Sequence, residues 1–266
     1  MKLDARAEQA AAALYDARKS GHTIAPISAT YGIVDADLAY QVQDANTARW
    51  LTEGRRVVGR KIGLTSVAVQ KQLGVGEPDY GMLWADTAYQ DGAVVPAERF
   101  IQPRVEAEIA FVMAERIDSP DVSLADFTAS VGSAEAAVEI VDSAIADWKI
   151  TLADTIADNA SGGGFVLSGV RRALVDVDLR LCGMVLSRNG APASLGVGAA
   201  CLGNPLNAGL WLARKMAEVG RPLSEGDIVL SGALGPMVDA APGDHIEVEI
   251  QGFAPIDLRF AARKRS

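Results

Sequence analysis

The chain has 266 residues, 49% of them hydrophobic, and a formal net charge of −9. That length suits one large domain or a core domain with a smaller companion. The acidic balance excludes a nucleic-acid backbone or an anionic membrane surface as the main partner. No apolar run reaches membrane-span length, and Met1–Ser20 shows no basic stretch followed by an apolar one, so a cytoplasmic protein is expected. Cys182 and Cys201 form no C-x-x-C pair, which fits a reduced compartment. His22 and His245 are the only histidines, one after a helix end and one opening a C-terminal strand. A Ser-His-Asp or Cys-His engine and a histidine-bound zinc are therefore disfavoured. Chemistry, if present, falls to carboxylates, lysines and oxygen-ligated metal.

Ala7–Lys19 is alanine-rich and Gly21 stands where a helix should stop, so the first element is a helix. After a loop with Pro26, Asp35 is the N-cap of a second helix running to about Glu53, with Leu38, Val42, Ala45 and Leu51 near one face and Gly54 at its end. Arg56–Ile62 has strand texture and carries Lys61 between Gly59 and Gly63, glycines that either admit a ligand or mark a bulge. Thr65 or Ser66 then caps a short helix ended by Gly74. Gly76–Gly81 is turn chemistry, which makes Asp79 a solvated loop residue by default. This change of texture sets the expected division into a mainly helical part, 1–74, and a C-terminal catalytic domain, 75–266.

Beyond a strand at Ala93–Val95, the stretch Gln102–Val112 reads as a strand with Val105, Ala107, Ile109 and Phe111 on one face and Glu106 and Glu108 on the other. Alternate Cα atoms lie roughly 6.5–7 Å apart in a strand, so both carboxylates can converge on one ion; the other reading is a solvated face. A short helix from Ser123 to Ala129 precedes Glu135–Val141. There Glu139 sits inside an apolar run and needs a partner, Arg104 or an ion. Three acids from two strands would form a hard oxygen set suited to Mg²⁺ or Mn²⁺.

In Asp154–Phe165 the glycines permit a tight path and Ser161 offers a hydroxyl to an anionic group. Neither a dinucleotide fingerprint nor a phosphate loop occurs, and Gly196–Cys201 reads as a flexible loop. Leu174–Arg188 alternates like a strand and turns back at Asn189-Gly190. Asn204 and Pro205 start a helix that ends at Gly220. Asp227–Gly232 is a strand, and His245–Ile250 pairs with Pro255–Phe260 around Gln251-Gly252.

Five blocks stand in order: Gly59–Ser66, Pro78–Gly81, Gln102–Glu108, Ala157–Ser161 and Ser231–Met237. Together they resemble the 2-hydroxypenta-2,4-dienoate (2-keto-4-pentenoate) hydratases of aromatic meta-cleavage pathways, within the fumarylacetoacetate hydrolase superfamily. The resemblance spans Ala7 to Phe260. It implies an α+β fold, with a helical N-terminal part and a C-terminal mixed β-roll core. It also implies a hydro-lyase that converts 2-hydroxypenta-2,4-dienoate to 4-hydroxy-2-oxopentanoate. By the same resemblance Glu106, Glu108 and Glu139 bind Mg²⁺ or Mn²⁺, Lys61 and Asp79 are catalytic, and Ser161 and Leu64 contact the substrate. A homo-oligomer, pentamer or decamer, is implied as well, with neighbouring pathway enzymes as further partners. The competing resemblance is to the sister 2-oxo-3-hexenedioate (4-oxalocrotonate) decarboxylases, which share the metal ligands and the lysine block. Asp79 in Pro-Asp-Tyr-Gly and the loop Ala233–Met237 favour the hydratase. From a different class comes a third reading, a non-catalytic partner subunit of a pathway decarboxylase.

Overall fold

A computed structural model describes residues 3–66, 70 and 76–262. Three helices come first. In α1 (Ala5–Ser20) the Asp4 side chain accepts the Arg6 N–H at the start, and Gly21 closes the end at φ 71°. A short helix that sequence reading passed over, α2 (Ile27–Tyr31), ends at Gly32 with φ 67°. Asp35 caps α3 (Ala36–Thr52) by accepting the Leu38 N–H at 2.8 Å. Small residues let these helices pack closely: Ala7, Ala10, Ala11 and Ala39 form a separate core with Ala144, Ile145, Ala153 and Ile156 of the later chain. Leu51, expected on the buried face, is exposed. The expected stop at Gly74 lies outside the described residues.

The larger sheet contains β1 (Val57–Gly63), β2 (Asp79–Trp84), β3 (Ala88–Gln90), β5 (Arg104–Met113), β6 (Val131–Val141), β7 (Gly162–Leu167), β10 (Ile228–Leu230) and β11 (Val238–Asp239). Its order is β2-β1-β10-β5-β6-β7-β3, with β11 added to one end of β5. β2 also packs against β7, so the sheet curls over its own inner face. β1 precedes residue 74 in sequence yet is hydrogen-bonded between β2 and β10 of this sheet. The smaller sheet runs β4 (Ala93–Val95), β13 (Ile256–Phe260), β12 (His245–Ile250), β8 (Gly183–Arg188), β9 (Ala191–Val197). Between the sheets lies the main core, where Val105, Ile109 and Phe111 of β5 meet Leu186, Val248, Leu258 and Phe260. Burial of such apolar side chains contributes about 1.5–3 kcal/mol each.

Two helices seal one end of that core, α4 (Leu124–Ser130), capped by Ser123, and α6 (Pro205–Glu218), capped by Asn204. The close approach of α6 depends on Gly209, where a Cβ would stand 2.4 Å from the Phe127 ring. Gly196 ends up in β9 rather than in a flexible loop. A Cβ there would meet the Leu234 carbonyl at 2.0 Å, so the glycine serves close backbone packing. The strand expected over Leu174–Arg188 begins only at Gly183. Among the described residues no helix is long and apolar enough to cross a membrane.

Candidate active site

The two faces of β5 separate as its alternation requires. Val105, Ala107 and Ile109 enter the main core, while Glu106 and Glu108 face the inside of the curled sheet. Antiparallel pairing with β6 sets Glu106 directly opposite Glu139 and Glu108 opposite Ala137. One oxygen from each of the three glutamates lies within 4.8 Å of the others. Glu108 and Glu139 are buried and Glu106 is half-buried, which removes the solvated-face reading. Arg104 is not Glu139's partner. It pairs with Asp239 at 2.8 Å and lies over the Trp148 ring.

Glu139 pairs instead with Lys61, whose Nζ stands 3.1 Å from Oε1. Lys61 is buried on β1 and donates a 2.8 Å hydrogen bond to the Ala160 carbonyl. Its two flanking glycines have different jobs. A Cβ on Gly59 would stand 1.9 Å from the Ile228 carbonyl of β10, and one on Gly63 would stand 2.1 Å from Asp79 Oδ1 and 3.4 Å from Lys61 Nζ. Gly63 therefore leaves room for a carboxylate beside the lysine. A bulge is present too, between Val57 and Gly59.

Asp79 corrects the sequence reading, which put it in a solvated loop. It opens β2 opposite Gly63, is 1% exposed, and neither carboxylate oxygen has a hydrogen-bond partner among the described residues. A short polar run with a proline is turn-like locally, but pairing with β1 overrides that preference.

Ser161 arrives by a strained route. Thr151 and Asp154 cap α5 (Leu152–Ala157) reciprocally, and the chain leaves through Asp158 into Asn159, Ala160 and Ser161 at φ 58°, 50° and 54°. Left-handed backbone costs an L-residue roughly 1–2 kcal/mol, so three in a row require compensation. Asn159 supplies part of it: its side-chain oxygen accepts the Met82 N–H at 2.7 Å and its amide nitrogen donates to the Met82 carbonyl at 3.0 Å. The turn aims the Ala160 carbonyl at Lys61 and leaves Ser161 Oγ buried, 3.1 Å from Thr155 Oγ1. Leu64 follows Gly63, also left-handed at φ 57°, and its carbonyl accepts the Gln70 amide at 2.7 Å. Sequence reading singled out neither Asn159 nor Gly232, whose N–H donates to Glu108 at 2.8 Å. Asparagine beside a glycine-rich run was the one available signal for the turn.

Burial dominates the electrostatics. It raises all three glutamates above the ordinary carboxylate range, Glu106 to about 7, where the charge of Glu139 adds to the rise and that of Lys61 opposes it. Burial raises Asp79 as well, against the opposing pull of Lys61. In Lys61 burial favours the neutral amine, but Glu139 and Asp79 reverse this and hold it protonated. Glu108 Oε1 and both oxygens of Glu139 accept no hydrogen bond among the described residues. Converging buried acids with orphaned oxygens are costly unless a cation lies between them, and an all-oxygen donor set fits a hard divalent ion. The residues present fit such a metal.

A curled mixed sheet with a carboxylate trio inside it defines the class of protein. Residues 42–261 match the family described as Fumarylacetoacetate (FAA) hydrolase C-terminal, and the chain belongs to that family. Among its relatives it is 54% identical over 253 residues to the TodF product hydratase of Pseudomonas putida, covering 95% of this chain and 94% of that one. It is 51% identical over 254 residues to 2-keto-4-pentenoate hydratase 1 of Dechloromonas aromatica, covering 96% and 97%. A solved structure, 4-oxalocrotonate decarboxylase from Pseudomonas putida G7 complexed with magnesium and adipate, superposes with a TM-score of 0.91 at 35% identity over 96% of this chain and 97% of that one. The expected α+β fold is the one observed.

Proposed function

We propose that this protein is a metal-dependent hydro-lyase that adds water to 2-hydroxypenta-2,4-dienoate and forms 4-hydroxy-2-oxopentanoate. The observation that carries the reading is Asp79, a buried carboxyl with no hydrogen-bond partner among the described residues, beside a lysine and three converging glutamates. Relatives named as hydratases cover the chain almost end to end, which favours hydration over decarboxylation. Glu106, Glu108 and Glu139 would hold Mg²⁺ or Mn²⁺, in keeping with the magnesium of the decarboxylase structure.

A cation held by these glutamates would supply positive charge that offsets the substrate's anionic charge. Lys61 keeps its proton and donates a hydrogen bond to the 2-oxygen as negative charge develops on it. Asp79, whose burial favours the neutral carboxyl, protonates C5 while the 2-hydroxyl releases its proton to solvent, giving the 2-oxo-3-enoate. As a carboxylate it then accepts a proton from the water that attacks C4 and passes it to C3, and a proton taken back from solvent restores the neutral acid. Ser161 and Leu64 line the substrate, the serine hydroxyl donating to the substrate carboxylate.

The test is a paired assay on the purified chain. Hydration consumes the ultraviolet absorbance of the dienol without releasing carbon dioxide, stops with EDTA and returns with Mg²⁺ or Mn²⁺. Carbon dioxide from 2-oxo-3-hexenedioate would replace this reading with a decarboxylase, and consumption of neither compound would leave the partner-subunit reading.

A further inference from the structure

The first helix, α1, precedes the segment that matches the family, yet one of its side chains reaches the back of the Ser161 turn. Arg18 donates Nε to Asp158 Oδ1 at 2.9 Å and Nη2 to Asp158 Oδ2 at 2.7 Å. Its Nη1 donates to Asp142 Oδ2 and its Nη2 to the Asp142 carbonyl, each at 2.6 Å. Both partners are buried. These aspartates are the two residues that bracket the left-handed turn. The Ser161 N–H donates to the Asp158 carbonyl at 3.0 Å, and the Asp142 N–H donates to the Ser161 carbonyl at 2.7 Å. Asp142 directly follows β6, the strand of Glu139, while Asp158 ends α5.

We propose that Arg18 is a positioning residue of the active site: its guanidinium ties Asp142 to Asp158 and so holds the left-handed turn that aims the Ala160 carbonyl at Lys61 and sets Ser161. Only a planar fork can serve both carboxylates and the carbonyl together; a lysine ammonium in its place cannot. Lys61 has two fixed neighbours, Ala160 and Glu139. Loosening the turn removes one of them and lets the ammonium drift toward the carboxylates. The N-terminal helix thereby acts on the catalytic lysine without touching substrate. The kinetic part of this inference rests on the proposed hydratase reaction; the structural part does not.

The experiment uses the full chain loaded with Mn²⁺, as wild type and as Arg18→Ala. Its first readout, amide hydrogen exchange at Asp142 and Ser161, needs no substrate and should quicken in the variant while the β5 and β6 amides keep their protection. In the second, kcat for the dienoate should fall on the order of 10²-fold with KM nearly unchanged, the expected cost of a misplaced reacting group. Third, millimolar guanidinium should restore most of the lost rate and an equal concentration of sodium chloride should not. A cavity of about 570 Å³ lined by Arg18, Asp142, Asp158 and Asn159 gives the added ion its way in. General loss of stability would quicken exchange throughout and would not respond to guanidinium.

Wild-type exchange at Asp142 and Ser161, or a kcat loss that guanidinium leaves untouched, overturns the proposal. Should Arg18→Ala not fold, Asp158→Asn breaks one side of the clamp. It should quicken Ser161 exchange and lower kcat, and wild-type values for both would overturn the proposal equally. If the wild-type protein leaves the dienoate unchanged, the hydratase reading fails, and the exchange data alone decide whether Arg18 holds the turn.

Discussion

Among the described residues two groups of side chains place three ligand-type atoms within 4.8 Å of one another, and in every other respect they are opposites. Glu106, Glu108 and Glu139 lie inside the curled sheet with raised proton affinities, and among the described residues Glu108 Oε1 and both oxygens of Glu139 accept no hydrogen bond, Lys61 standing 3.1 Å from one of them as an ion pair. His245, Glu247 and Asp257 lie on the outer face of the small sheet, within reach of water. There His245 Nε2 is bonded to Asp257 at 2.5 Å, and the Arg259 guanidinium approaches to 3.4 Å. A cation arriving at the surface group would have to break a satisfied pair and face an arginine. At the buried group it would relieve repulsion that nothing else relieves completely. Proximity of ligands is thus weak evidence for a metal, and unpartnered burial is strong evidence.

The largest expected effect breaks the buried group. Glu139→Gln should abolish stoichiometric Mn²⁺ binding by titration and reduce turnover beyond the roughly 10–100-fold typical of losing an outer-shell partner. Retained binding would return the glutamates to a purely structural role. Next, Asp79→Asn should keep the metal titration of wild type and slow hydration roughly 10²–10⁴-fold, the usual range for a general acid–base. Unchanged kinetics would remove Asp79 from proton transfer.

A smaller effect is thermal. In the metal-free protein the folded state holds protons on Glu106 up to about pH 7, whereas an unfolded glutamate releases them near its ordinary value of 4.5. Between those values the folded state binds more protons, so stability is greatest below the window and falls as pH rises through it. Asp158, raised by burial to about 6, contributes in the same direction. Melting curves at about pH 5 and about pH 7.5 should therefore show Tm falling with pH, and Mn²⁺ should raise Tm more at the higher pH. The smallest effect is at the surface group: His245→Ala should cost about 0–1 kcal/mol in denaturant unfolding and leave kcat and Mn²⁺ stoichiometry as they were.

Much of the fold could be read from the chain because its signals are local. Asp35 and Asn204 start helices where their side chains accept backbone N–H groups, and Gly21 ends one where left-handed backbone is required. Alternation along β5 separated Glu106 and Glu108 from the core face, since the pleat sends neighbours to opposite sides. Asp79 was misplaced because its own neighbours are turn formers and its strand exists only through pairing with β1. Arg18 was invisible as a site residue: it lies 124 and 140 positions from its two partners, on a helix whose own pattern says only that it is a helix.

The sequence by itself therefore determined which acids share a face, where the N-terminal helices begin and end, and, through five ordered blocks, the family. Those properties depend on spacing within single elements and on side chains meeting their own backbone. Only the tertiary structure decided that Glu139 faces Glu106, that Lys61 rather than Arg104 answers its charge, and that Asp79 is dry. It alone brought α1 behind the turn that carries Ser161. Burial and strand partnership are properties of what packs against a residue, and no local pattern carries them.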